Sequence, residues 1–205
     1  MCNLYRLSKS VDEVADFFRA IAEGEHVAPG ANFPEETYPG YPGLVLAYGV
    51  FRTMTWGFPL SRKSATGQPL KPRPVNNARS DKLASPFWSA SFHNRRCLIP
   101  LSAFAEAEGP KGGKTRTWFD LPDQPMMAVA GFWRDTAEWG EACTMVMTEA
   151  CENVQCVHDR MPVILSPDDW SRYLSGTTKE AMALCRPYAG AMTVNRTDTP
   201  WTGSR

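Results

Sequence analysis

The sequence holds only three histidines, no net charge and no apolar run long enough to cross a bilayer. The missing apolar run argues against a membrane span. The N-terminus also lacks the basic stretch followed by an apolar segment that marks a secretory signal. The expectation is a cytoplasmic protein with no membrane partner, whose six cysteines (2, 97, 143, 151, 156 and 185) are reduced thiols. Cys151, Cys156 and His158 are spaced Cys-x4-Cys-x-His with no second pair at zinc-finger distance, which argues against a metal or redox module. No cofactor or metal is expected. Strands and helices do not alternate as βαβ units, which excludes a doubly wound parallel sheet. Neither an internal repeat nor a dimerisation heptad is present, so residues 1–205 read as one monomeric domain.

What is present is unevenly placed. From Arg52 to Arg116 there are twelve Lys or Arg against three acids (Asp81, Glu106, Glu108), a local balance of +9, and the remainder carries −9. A neutral chain with a basic middle third can show one face to a polyanion. A solvated basic loop is the plainer alternative. Ser10 and Glu13 form a capping-box signal, and Val11, Val14, Phe17, Phe18 and Ile21 follow at helical spacing, predicting a helix over 11–22. Residues 24–43 read as an extended loop, and Leu44 to Trp56 as β-structure. Residues 59–95, with five prolines, read as a long loop, functional or disordered. Strands are predicted at 97–100, 103–106, 126–133, 143–148 and 161–165, and helices at 167 onward and 178–185. Strands in the middle and helices at the ends predict an α+β domain on mainly antiparallel sheet.

Chemistry is suggested first by Cys2. Its small side chain permits removal of Met1, which leaves an α-amine and a thiol on one residue. That 1,2-aminothiol can condense with an aldehyde and then close a five-membered thiazolidine ring. Three further groups place polar residues where strands meet turns: Asn76-Asn77-Ala78-Arg79-Ser80, Arg95-Arg96-Cys97-Leu98-Ile99-Pro100 with Glu106 beyond, and His158-Asp159-Arg160-Met161-Pro162. By residue type alone Asn77 equally suits a turn, Glu106 a surface carboxylate and His158 a structural side chain.

Cys2, Trp56-Gly57, Asn77-Ala78-Arg79-Ser80, Arg96-Cys97-Leu98-Ile99-Pro100 with Glu106, and His158-Asp159-Arg160-Met161-Pro162 stand in the order seen in the SRAP (SOS response-associated peptidase) family, which this chain resembles from residue 2 to 165. The resemblance implies a sensor of abasic sites in single-stranded DNA that captures the sugar aldehyde as a thiazolidine crosslink, associated with the nucleoid when bound. It implies Cys2 as nucleophile, Asn77 as the amide positioning the Cys2 amine or the sugar, Glu106 as acid/base and His158 as a second proton donor. It implies Arg79 and Arg160 as phosphate ligands and Trp56 as a wall or stacking surface. Arg95 and Arg96 join the same basic patch.

Three departures bear on this. Asn3-Leu4-Tyr5 replaces a common Gly-Arg, which passes any phosphate contact there to Arg6. Ala105 and Ala107 flank Glu106 where aromatics are common, which suggests a more open pocket wall. Asp81 stands where Glu is frequent. The competing readings are an N-terminal-cysteine peptidase acting on itself or on other chains, and a single-strand-binding protein with no covalent step.

Overall fold

The computed structural model describes residues 2–19, 21 and 32–201. The chain runs β1 (Leu4–Arg6), α1 (Val11–Phe17), β2 (Glu36–Thr37), β3 (Pro42–Ala47), β4 (Val50–Trp56), β5 (Phe58–Lys63), β6 (Pro69–Val75), β7 (Asn77–Arg79) and a 3-10 turn at Ser80–Lys82. It continues through α2 (Ser89–Asn94), β8 (Arg96–Leu101), β9 (Ala103–Glu108), β10 (Thr115–Asp120), β11 (Met127–Thr136), β12 (Gly140–Glu149) and α3 (Glu152–Gln155). The last elements are β13 (Arg160–Pro162), β14 (Ile164–Leu165), α4 (Pro167–Ser175), α5 (Thr178–Ala183) and β15 (Thr193–Pro200).

One sheet has the order β15-β10-β9-β1-β2. The larger one runs β13-β12-β4-β3-β8-β11-β14, and β12 pairs with both β4 and β11, so five strands close into a ring. All pairings are antiparallel except those of β12 with β4 and β7. Alternation along the strands separates two cores. One set (Leu44, Leu46, Leu98, Ala130, Phe132) meets Val14, Phe18, Phe92, Trp170 and Tyr173 of the helices. The other set (Val45, Trp56, Cys97, Ile99, Val129, Met145) meets Cys2, Tyr5, Phe104 and Phe119 of the smaller sheet. The N-terminal strand is therefore packed into the core, and Cys2 is fully buried. Gly43 is what lets β1 lie this close, because a Cβ there would overlap the Tyr5 hydroxyl.

The α+β, mainly antiparallel expectation holds, with corrections. α1 carries the Ser10–Glu13 capping box but ends at Phe17, and residues 22–31 lie outside the described residues. The loop expected over 24–43 contains β2 and the start of β3. The loop expected over 59–95 is a hairpin, a short strand, a 3-10 turn and a helix. Four of its five prolines sit in a two-stranded ribbon with two open edges, where a missing N–H breaks no further ladder. β10, buried in its middle and half-buried at its ends, and the mostly exposed, polar β15 were not expected.

Candidate active site

The site is assembled from four strands that converge on residue 2. Where β7 begins, Asn76 and Asn77 both aim their side-chain amides at one acceptor. Asn77 Nδ2 donates to the Cys2 carbonyl at 2.7 Å and Asn76 Nδ2 to the same oxygen at 3.0 Å. Asn76 also reaches Asn3 Oδ1 at 3.2 Å, and its own carbonyl accepts from Trp56 Nε1 at 3.1 Å. Tyr5 packs edge-on against Trp56 with ring centroids 4.8 Å apart. Backbone and side chains thus pin Cys2 by its carbonyl, leaving its nitrogen and sulfur unused in this clamp. Asn77 Oδ1 is buried with no hydrogen-bond partner among the described residues.

Glu106 enters from β9, whose pairing with β1 sets Ala105 opposite Leu4 and with β10 sets Glu106 opposite the buried Thr117. Alternation turns Ala105 toward Leu4 and Trp118 on the far face. The alanine therefore opens no wall beside Glu106, contrary to the expectation from sequence. Glu106 is 2% exposed, and burial pushes its carboxyl up to about 7. The Cys2 thiol is raised well above its usual value, first by burial and then by the nearby Glu106 charge. Cys2 and Glu106 are electrostatic neighbours, and at neutral pH the sulfur is a thiol rather than a thiolate.

His158 follows α3, half-buried, with Nδ1 3.0 Å from the Arg160 amide and 2.9 Å from Asp159 Oδ1. Burial, its largest influence, lowers its pKa and favours the neutral ring at pH 7. In that state Nδ1 accepts from the amide, which assigns the ring proton to Nε2. Asp159 and Lys114 act electrostatically on both Glu106 and His158, which puts these side chains in one field. Arg79 and Arg160 flank the C-terminal end of β12, one opposite Met147 and the other opposite Glu149. Arg79 is exposed and grips Asp81 through Nε and Nη2 at 2.9 and 2.7 Å.

The basic patch is not one surface. Trp56 is fully buried and presents no face on which a base could stack, so its expected stacking role is corrected to support beneath Asn76. Arg96 is buried, and its guanidinium donates to the carbonyls of Phe92, His93, Tyr173, Leu174 and Gly176, tying α2 to α4. It is a structural clamp rather than a phosphate ligand. Arg95 lies over Trp133 at 5.8 Å, near the N-terminal end of β12 and away from Arg79 and Arg160. Arg6 sits over Trp118 at 4.5 Å. Sequence reasoning passed over Asn76, although the adjacent asparagines were a usable signal. It gave Asp159 no role, although that residue lies inside the quoted His158–Pro162 block, and it missed Lys114, whose charge carries no motif.

A family model described as SOS response associated peptidase (SRAP) matches residues 1–199. The chain belongs to the SRAP family. Among curated SRAP relatives, the abasic site processing protein YoqW of Bacillus subtilis is 26% identical over 92% of this chain and 88% of its own length. The chicken abasic site processing protein HMCES is 25% identical over 55% of this chain and 42% of its own length. The same fold appears in a solved protein of Bordetella bronchiseptica, with a TM-score of 0.78 and 22% identity over 96% of this chain and 99% of that one. A solved protein of Bacteroides thetaiotaomicron gives 0.76 and 19% over 95% and 91%. No group of three metal-binding side chains occurs among the described residues of this SRAP domain.

Proposed function

We propose that this protein processes abasic sites in single-stranded DNA by capturing the ring-opened sugar aldehyde on Cys2. The observation that carries the reading is the double amide clamp on the Cys2 carbonyl beside a buried carboxyl raised to about 7. A clamp on the carbonyl fixes the residue while leaving amine and thiol for reaction. A carboxyl titrating near neutral pH both gives and takes protons at the working pH. The names of the SRAP relatives supply the substrate class.

The chemistry requires that Met1 be removed, because only then does Cys2 carry an amine. As the hemiacetal opens, the anomeric hydroxyl proton passes by way of Glu106 to the ring oxygen, which His158 Nε2–H holds by a hydrogen bond. The Cys2 amine adds to the aldehyde carbon, forming a C–N bond, and the carbinolamine loses water with Glu106 supplying the proton. The Schiff base is then attacked by Cys2 sulfur. A C–S bond forms, the C=N pair moves to the nitrogen of the protonated Schiff base, and the thiol proton returns to Glu106, which gave its own to the departing water. The product is a neutral thiazolidine with no redox change. Asn77 Oδ1 offers an acceptor to the amine or to a sugar hydroxyl. Arg79 and Arg160 offer paired donors to phosphates on either side of β12.

The test uses protein whose loss of Met1 is verified by mass spectrometry, incubated with single-stranded DNA bearing one abasic site. A heat-stable shifted band on a denaturing gel is expected, absent in Cys2→Ala. No band would remove the covalent reading. Salt-sensitive binding that survives Cys2→Ala would leave a non-covalent binder, and peptide cleavage without crosslinking would leave a peptidase.

A further inference from the structure

Residues 57–76 leave the sheet from a single line of pairing. β4 runs parallel to β12 at Thr55 and Trp56, and β7 resumes the same parallel pairing at Asn77. Between them β5 and β6 hydrogen-bond to each other and to no other strand. The root of this ribbon is fixed. Gly57 N–H donates to the Cys143 carbonyl at 2.7 Å, and the Trp56–Asn76 bond closes the opening where the two strands leave. Gly57 has φ +123°, and a Cβ there would lie 2.6 Å from Pro74 Cβ, so the crossing requires glycine. Phe58 is buried against Trp88 and Phe132, with the Arg134 guanidinium 4.0 Å from its ring centroid.

Beyond that root the ribbon has one sign of charge. From Phe58 to Val75 it carries Arg62, Lys63, Lys71 and Arg73 and no acid. All four are exposed, and none makes an ion pair among the described residues. Some cations elsewhere are paired, Arg52 with Glu141, Arg116 with Glu36 and Arg196 with Glu108, but only the ribbon combines four of them with no acid at all. Six- and seven-residue strands make an arm roughly 20 Å long. Four like charges on so narrow a support repel one another unless a polyanion lies along it. Pro59, Pro69, Pro72 and Pro74 already blunt the open edges against pairing with other chains. Edge protection therefore explains the prolines without explaining an acid-free set of four cations. The arm also springs from the clamp itself, since Asn76 at its foot holds Cys2 and Asn3.

We propose that the β5–β6 ribbon is a phosphate-gripping arm that holds the DNA strand flanking the Cys2 site. Its place beside the lesion rests on the abasic-site reading above. The arm contacts backbone rather than base edges, so it adds affinity without sequence preference.

The test is the quadruple variant Arg62→Gln, Lys63→Gln, Lys71→Gln, Arg73→Gln, titrated by fluorescence anisotropy against undamaged single-stranded DNA across a salt series. Affinity at low salt is expected to fall tenfold or more. The slope of log affinity against log salt should lose about 0.7 per phosphate contact, up to about 3 in all. A variant that exchanges Arg and Lys at the four positions should keep most of both. Crosslinking to abasic DNA at saturating concentration should be unchanged, because none of the four belongs to the reacting site. An unchanged slope in a variant with a wild-type melting curve overturns the arm, and self-association on gel filtration alongside it would assign the charges to edge protection. Undamaged DNA keeps the two readings separable. Ribbon-dependent binding without any crosslink sinks the abasic chemistry alone, and normal crosslinking with an unchanged slope sinks the arm alone.

Discussion

Glu106→Gln should make the protein more stable and less active, and both effects should depend on pH. Burial raises the Glu106 carboxyl from 4.5 to about 7. At about 1.4 kcal/mol for each tenfold change in proton affinity, ionising it in the native state costs about 3 kcal/mol more than in the unfolded chain. The sign follows from proton counts. Between pH 4.5 and 7 the unfolded chain has released this proton while the native state still holds it, so native stability declines as pH rises through that window. Below it both states are protonated and no difference exists. Above pH 7 both are ionised and the full cost persists.

Glutamine has the same shape and never ionises. Urea denaturation at pH 4 should therefore give the variant and the wild type equal stability. At pH 8 the variant should be the more stable by up to about 3 kcal/mol, or about 6–12 °C in melting midpoint for a chain of this size. Crosslinking by the wild type should change with pH around a midpoint near 7, and the slower variant should lose that midpoint. Equal stabilities at pH 4 and pH 8 would refute the claim that Glu106 is held neutral by burial, and with it the reason for making it the proton carrier.

Three further outcomes follow from the same geometry. Cys2→Ser keeps the amine after Met1 removal, so it should give a Schiff base that borohydride traps but no heat-stable link without reductant; a heat-stable link would remove the thiol from the mechanism. Asn77→Ala should slow crosslinking ten- to a hundredfold and lower stability by about 1–2 kcal/mol, the worth of a buried hydrogen bond left half-made, while the salt dependence of DNA binding stays put. Arg96→Ala should cost at least about 3 kcal/mol in denaturation, because five carbonyls lose a charged donor. Its DNA affinity, measured where the variant remains folded, should match the wild type; a changed salt slope would return Arg96 to the DNA-binding surface.

What could be read from the sequence was what periodicity and caps encode. The Ser10–Glu13 box, the two strands on either side of Ser102 and the proline-led helix at 167 are local signals, and each forms where expected. The ribbon was hidden because proline frequency suggests a loop, while two strands that pair only with each other tolerate prolines at their open edges. The site residues were legible as motifs but not as surfaces. Trp56 and Arg96 have the residue types of a DNA-binding face, yet one lies under Asn76 and the other inside a carbonyl cage. Burial depends on which strands meet, and the closure of β12 onto both β4 and β11 is a long-range event that no local window contains. Glu106 shows the converse. Its neighbours in sequence suggested an open carboxylate, and the alternation of β9 turned it into the core.

The way Cys2 is held bears on how the site is prepared. Both asparagines bond its carbonyl, and β1 binds β9 from Leu4 onward, so these contacts lie on the C-terminal side of the Cys2 nitrogen. These bonds do not depend on the state of that nitrogen. Removal of Met1 would thus expose an amine on a residue already oriented, with no refolding of β1 required. The same logic separates the two halves of the site. On the proposed reading, rigid strands hold Cys2 and Glu106, whereas Arg79, exposed and paired with Asp81, would exchange that carboxylate for a phosphate when DNA binds. The proposed chemistry is thus preorganised, and the proposed strand binding exchangeable. Substitutions at Asn76, Asn77 or Glu106 should accordingly alter the rate of capture at saturating DNA, and those at Arg79 the amount of DNA needed to reach it.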